Sequence, residues 1–293
     1  MDGSLTTPWV KYTENPVLGG KLGTCFDASV LMDGNKYRMY FSWRPKQSIA
    51  LTESTDGIHW SDPQIVLGPA STGWENDINR PGVLKRDGVY YLWYTGQYDG
   101  RSEIGFATST DGVHWTRQTE PVFVPDQPWE KVAVMCPDVL WDAHTHQFRM
   151  WYSGGDQYEP DAIGYATSSD GIHWTKKLEP VFAANPQNNW ESYKVTACQV
   201  IHSKGWYYMF YIGFRDIDHA QIGLARSKDG VTDWHRLPDN PIVSPTPGGF
   251  DADACYKPCA LYNGKQWMLW YNGRNEHLEQ IGLVTKDGPS LGF

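Results

Sequence analysis

The sequence predicts an all-β fold, a five-bladed β-propeller of four-stranded blades closed by its own N-terminal segment. Three observations predict it: a segment recurring at a fixed interval, strand-like runs between its copies, and chain ends that complement each other. The recurring segment reads STDGIHW at Ser54–Trp60, STDGVHW at Ser109–Trp115, SSDGIHW at Ser168–Trp174 and SKDGVTDW at Ser227–Trp234. A fifth, incomplete copy is Thr285-Lys286-Asp287-Gly288. The tryptophans Trp60, Trp115, Trp174 and Trp234 stand 55, 59 and 60 positions apart, so one unit is repeated around a ring.

Each unit holds four strand-like runs. In the third they are Pro137-Asp138-Val139-Leu140, Gln147–Tyr152, Ala162–Thr167 and Glu179-Pro180-Val181-Phe182, rich in β-branched and aromatic residues. An Asp-Gly turn separates the third run from the fourth. The fifth repeat lacks its Trp and its fourth run. The stretch Trp9–Leu18 (WVKYTENPVL) matches Trp174–Phe182 (WTKKLEPVF), so the N-terminus is expected to supply the outer strand of the last blade. Such closure removes a seam with unpaired edges. Residues 1–293 are read as one domain.

Composition narrows the function. Hydrophobic residues make up 40% and charged residues 20%, enough apolar surface for a packed core. The net charge of −9 with no basic run argues against nucleic acid. No apolar run reaches the roughly 18 residues of a membrane span. Met1–Pro8 has no basic segment followed by an apolar one, and five cysteines, an odd number, fit a reducing compartment. A cytoplasmic protein is expected, or an exported one from which a leader has been cut. The 15 Trp and 17 Tyr suit both propeller cores and surfaces that stack on sugars.

The connections between first and second runs are short, as in Met32-Asp33-Gly34-Asn35, and share one end of the ring with the Asp-Gly turns. The opposite end carries longer loops rich in polar and aromatic residues, and the site is expected there. The entry to each inner strand repeats an aromatic–acid pair: Trp74-Glu75, Trp129-Glu130, Trp190-Glu191 and Phe250-Asp251. The plain reading is architectural, with the ring packed and the acid capping a turn. The sharper reading points one or two of these carboxylates into an axial pocket, where glycoside cleavage needs a carboxyl pair.

The inner strands align as Phe26-Asp27-Ala28, Asn79-Arg80-Pro81, Met135-Cys136-Pro137-Asp138, Thr196-Ala197-Cys198 and Tyr256-Lys257-Pro258. With the segment Ile163–Trp174, this pattern resembles the five-bladed glycosidase superfamily, which includes glycoside hydrolase families 32, 43, 62, 68, 117 and 130. The resemblance spans the whole chain through the repeats. Family 32 carries Asn-Asp-Pro with its nucleophile in blade one, Arg-Asp-Pro in blade two and Glu-Cys-Pro-Asp with its acid in blade three. Asp27 keeps the first position between Phe26 and Ala28. Arg80 stands where the second Asp would be, and Met135 replaces the acid.

The resemblance implies a glycoside hydrolase acting on a terminal sugar, a furanoside such as an arabinofuranoside or fructofuranoside. A mannoside phosphorylase or hydrolase and a non-catalytic carbohydrate-binding propeller are the alternatives. Asp27 and Glu191 are the expected catalytic pair, with Glu130, Asp251 and Asp253 as other candidates for the acid and Asp77 as a substitute second Asp. Trp43, Arg44, Asn79, Arg80, Tyr158, Arg215, Tyr256, Lys257 and Arg274 are candidate sugar contacts, Arg44, Arg215 and Arg274 each ending a second strand. His219 and His277 lack metal-ligand spacing, and the cysteines read as small hydrophobes. No metal or cofactor is expected.

Overall fold

Innermost strands Cys25–Asp33, Asp77–Arg86, Ala133–Asp142, Lys194–Ser203 and Ala254–Tyr262 neighbour one another in that cyclic order, the last against the first. The computed structural model describes residues 8–70, 73–157 and 160–293. Each inner strand pairs antiparallel with a second strand: Lys36–Trp43, Val89–Tyr98, Gln147–Gly155, Trp206–Asp216 and Gln266–Asn275. A third strand and a short outer strand complete each blade. In blade five the outer strand is Val10–Lys11, with Val10 opposite Thr285, and Leu18 bridges Ile281. The N-terminal segment therefore closes the ring as the repeat pattern predicts. One parallel bridge, Ala133 to Ser102, joins blades two and three along an edge.

The Asp-Gly turns serve two purposes. In the first, Ser54 Oγ accepts the Gly57 N–H at 2.8 Å, and Asp56 Oδ1 accepts those of Ile58 and His59 at 2.9 and 2.8 Å. The side chains satisfy backbone donors that no ladder reaches. The glycine carbonyl left pointing outward then binds the preceding blade. Trp93 Nε1 donates to Gly171 O at 2.9 Å, Trp151 to Gly230 O at 2.8 Å and Trp270 to Gly57 O at 2.9 Å, while Tyr40 OH donates to Gly112 O at 2.9 Å. The Trp270 bond spans the seam between blades five and one.

All five inner strands break register at the same place, between Phe26 and Ser29, Asn79 and Gly82, Met135 and Asp138, Thr196 and Gln199, and Tyr256 and Cys259. At each break a non-glycine residue adopts a left-handed backbone: Asp27 (φ 51°), Arg80 (53°), Cys136 (53°), Ala197 (38°) and Lys257 (28°). That conformation costs about 1–2 kcal/mol per residue. The bulge turns an amide out of the ladder, and the preceding blade captures it. Arg80 N donates to Ser42 Oγ, Cys136 N to Thr95 Oγ1, Ala197 N to Ser153 Oγ and Asp27 N to Asn272 Oδ1. Five bulges around one axis thus aim the residues beside them at a common point.

Candidate active site

A cavity of about 240 Å³ opens at that point on the long-loop side of the ring. Asp27 enters it from blade one, fixed by its bulge and nearly buried at 6% exposure. The second carboxyl in the cavity is Glu279, near the start of the third strand of blade five, Leu278–Asp287. Sequence reasoning missed it. Blades two to four carry Ser102, Asp161 and Ala220 two residues ahead of an Ile-Gly pair, and Glu279 holds the same place ahead of Ile281-Gly282. That offset was the available signal.

Asn272 links the two acids. Its Nδ2 donates to Asp27 Oδ1 at 2.6 Å and lies 3.5 Å from Glu279 Oε2, while its Oδ1 accepts the Asp27 N–H. These two distances cap the Asp27 Oδ1 to Glu279 Oε2 separation at about 6 Å. Asn272 occupies the position that holds Ser42, Thr95 and Ser153 in the first three blades. A hydroxyl there suffices to catch the bulge amide, and only the longer amide also presents an N–H₂ to two carboxyls. Burial, reinforced by the negative Asp27, pushes the Glu279 carboxyl up to about 7, against the pull of Arg44, Arg80 and Arg274.

Arg80 lies 3.4 Å from Asp27 through its Nε and donates to Asn79 Oδ1. Arg44, Arg274 and Tyr256 also line the cavity. Arg215 does not. Its strand places Phe214, not Arg215, in register with Arg44 and Arg274, and a one-residue offset sends a side chain to the other face of the sheet. Arg215 pairs with Asp216 at the surface. Trp43 fails for the same reason, one residue before Arg44; it donates to Leu22 O and packs on the blade-one core. Asn79 is buried against Gln97, and Asp77 sits beside the cavity, 3.5 Å from Arg44. Lys257 points away, along the axis, into a second cavity that it shares with Asp138, and donates to Cys198 O at 2.8 Å. Tyr158 lies outside the described residues.

The aromatic–acid pairs are architectural. Glu191 is fully buried, accepts Tyr211 OH at 3.0 Å and pairs with Arg236 at 2.8 Å. Glu130 accepts Tyr152 OH at 2.6 Å and pairs with Lys176, and Glu75 does the same with Tyr94 and Arg117. Asp251 accepts Tyr271 OH at 2.8 Å and pairs with Lys11 of the N-terminal strand. In every case the tyrosine belongs to the second strand and the cation to the outer strand of the same blade. Trp190 lies flat over Gly213 and Gly223, where a Cβ would come within 2.4 Å of the ring. None of these acids lines the axial cavity. Glu130, Glu191 and Asp251 stand six residues before the left-handed residue of their strand, ahead of the strand itself. The expected Asp27–Glu191 pair therefore does not form. Asp253 caps the Glu276 N–H in a surface loop, also outside the cavity.

The family model for the glycosyl hydrolases family 32 N-terminal domain matches residues 27–199, beginning at Asp27 itself. The chain belongs to this family. By family it is a glycosidase, and the acid-to-methionine change at Met135 stands as a departure within it, an apolar wall of the cavity. Among curated relatives, an uncharacterised Mycobacterium tuberculosis protein is 27% identical over 87% of this chain and 89% of its own length. A 1,2-beta-oligomannan phosphorylase from a Thermoanaerobacter species is 31% identical over 51% of this chain and 50% of its own. Raffinose invertase of Escherichia coli is 28% identical over 65% of this chain and 41% of its own. The fold matches a structure from the GH130 family of mannoside phosphorylases, with TM-score 0.77 and 15% identity over 99% of this chain and 98% of that one. It also matches a thermostable family-43 glycoside hydrolase, with TM-score 0.73 and 18% identity over 93% and 95%.

Proposed function

We propose that this family 32 chain cleaves a terminal glycosidic bond in the axial cavity, with Asp27 and Glu279 as the catalytic carboxyls. The observation that carries the reading is the shared Asn272 amide, which brings two carboxyls together in one cavity. Glu279, raised to about 7, holds a proton near neutral pH and gives it to the leaving oxygen. Asp27, on a rigid bulge between Asn272 and Arg80, attacks the anomeric carbon. The cap of about 6 Å on their separation is short of the roughly 6.5–9.5 Å that an inverting pair keeps open for water, and favours retention through a glycosyl–Asp27 intermediate. Water then releases the sugar, with the Glu279 carboxylate taking its proton.

A furanoside is the substrate class favoured by the family 32 match and the invertase relative. The oligomannan phosphorylase relative favours a second reading, in which phosphate replaces water. Aryl arabinofuranosides, fructofuranosides and mannosides, each assayed with and without phosphate, separate the two. Asp27→Asn is expected to stop turnover of every substrate. Glu279→Gln is expected to spare aryl glycosides whose leaving group needs no proton and to fail on alkyl glycosides. Equal loss on both substrate types in Glu279→Gln would remove Glu279 from the acid's role.

A further inference from the structure

Three guanidinium groups, those of Arg44, Arg80 and Arg274, border a cavity with two carboxyls among its described lining residues. Arg80 is committed to Asp27 and Asn79. The other two are under-used. Arg44 lies over the Phe26 ring, 4.5 Å from its centre, and reaches only a 3.5 Å contact with Asp77. Arg274 rests 5.8 Å from the Tyr256 ring and gives one bond to the Asp218 carbonyl at 3.0 Å. Its Nε is buried with no partner among the described residues. A guanidinium carries five N–H donors, so most of the donors on these two side chains have no acceptor among the described residues.

The charge balance points the same way. With Glu279 protonated, the described lining residues set three cations against the carboxylate of Asp27, with Asp77 beside Arg44 at the rim, in a chain whose net charge is −9. Arg44 is still 41% exposed in the free protein, so a sugar seated over it would cover it, and hydroxyls do not compensate the removal of a guanidinium from water. An oxyanion matches the planar fork with two parallel, charge-assisted bonds. We propose that the cavity selects a glycoside whose terminal sugar carries an oxyanion (a carboxylate, sulfate ester or phosphate ester) held by Arg44 and Arg274. The word glycoside rests on the function proposed above, whereas the anion preference is a binding property that needs no turnover. It also has a consequence for the acid. Arg44 and Arg274 both draw the Glu279 proton off, and an anion paired with them cancels that pull. The bound complex therefore keeps Glu279 protonated to higher pH than the free protein does.

Calorimetric titration of the whole protein at pH 6 tests the proposal. The probes are mannose and fructose, their 6-phosphates and 6-sulfates, mannuronate, and inorganic phosphate. At least one sugar anion is expected to bind about tenfold or more tighter than its neutral parent. Arg44→Gln and Arg274→Gln are each expected to erase most of that preference with an unchanged melting temperature. Glu279→Gln is expected to keep it, and a native protein that shows the anion preference yet turns over no glycoside sinks the hydrolase reading alone. Neutral sugars binding as tightly as the anions, or a preference that survives both arginine variants, overturns the proposal. So does inorganic phosphate binding as tightly as the sugar phosphates, which assigns the arginines to a free anion. Failure of every sugar anion to bind below roughly 10 mM overturns it as well.

Discussion

Two sets of buried carboxylates lie in this ring, and their partners set them apart. Glu75, Glu130, Glu191 and Asp251 each meet one tyrosine hydroxyl and one cation from their own blade. Each is a closed unit with nothing left over for a ligand. Asp27 and Glu279 share one asparagine amide across the seam between blades five and one, beside a cavity. Burial by itself does not distinguish structure from function. A carboxylate closed off by its own tyrosine and cation holds a blade together, and two carboxyls that share one amide in a cavity, one of them raised to about 7, store the capacity for proton transfer.

The largest expected effect sharpens this contrast. Glu279→Gln is expected to lower kcat on alkyl glycosides by about 10²–10⁴-fold while the fold persists. Glu191→Gln leaves the half-buried Arg236 beside a fully buried neutral amide. A loss of about 3–5 kcal/mol in unfolding free energy, measured by urea titration, is expected there with turnover per folded molecule unchanged. Catalytic loss in a stably folded Glu191→Gln protein would erase the distinction between the two sets.

The next effect is on pH. Glu279 has a folded value near 7 against an ordinary carboxyl of 4.5, so the native state holds more protons than the unfolded state between those limits. Stability on its account is therefore present below 4.5 and declines as pH rises towards 7. Glu279→Gln is expected to be more stable than the native protein above pH 7 by about 1–3 kcal/mol, the gain vanishing in acid. Catalysis follows the same group: kcat/KM is expected to fall as pH rises through about 7, where the acid loses its proton. A flat profile between pH 6 and 8 would dissociate Glu279 from the chemistry.

The smallest effect tests the frame that holds both sets. Trp151→Phe removes one inter-blade hydrogen bond to Gly230 and is expected to cost about 1–2 kcal/mol in a denaturant titration. Blade four already carries Phe210 at the matching position.

The fold was legible because its determinants are local and repeated. The Asp-Gly turns are four-residue signals that recur with the blade, and the matching ends repeat the same pattern at the two termini, so the ring can be read without any long-range contact. The site was legible only where the bulge fixed it. Asp27 sits on a motif that the other four inner strands repeat, and its position in the ring follows from that motif. Arg215 was misplaced by one residue, because the strand period of two reverses faces with each step.

The sequence by itself determined the ring, its closure by residues 9–18, the end on which the cavity opens and the axial place of Asp27. Only the tertiary structure decided the partner of Asp27. Glu279 is 252 residues away in the chain and reaches Asp27 solely because closure sets blade five against blade one. The structure likewise decided that Glu191 is a strut, since its cation and its tyrosine come from strands that no short-range pattern connects to it. Repetition announces the blades, but the carboxyl pair in the cavity breaks the repeat, and a residue that departs from the pattern is recognised only by what folding places beside it.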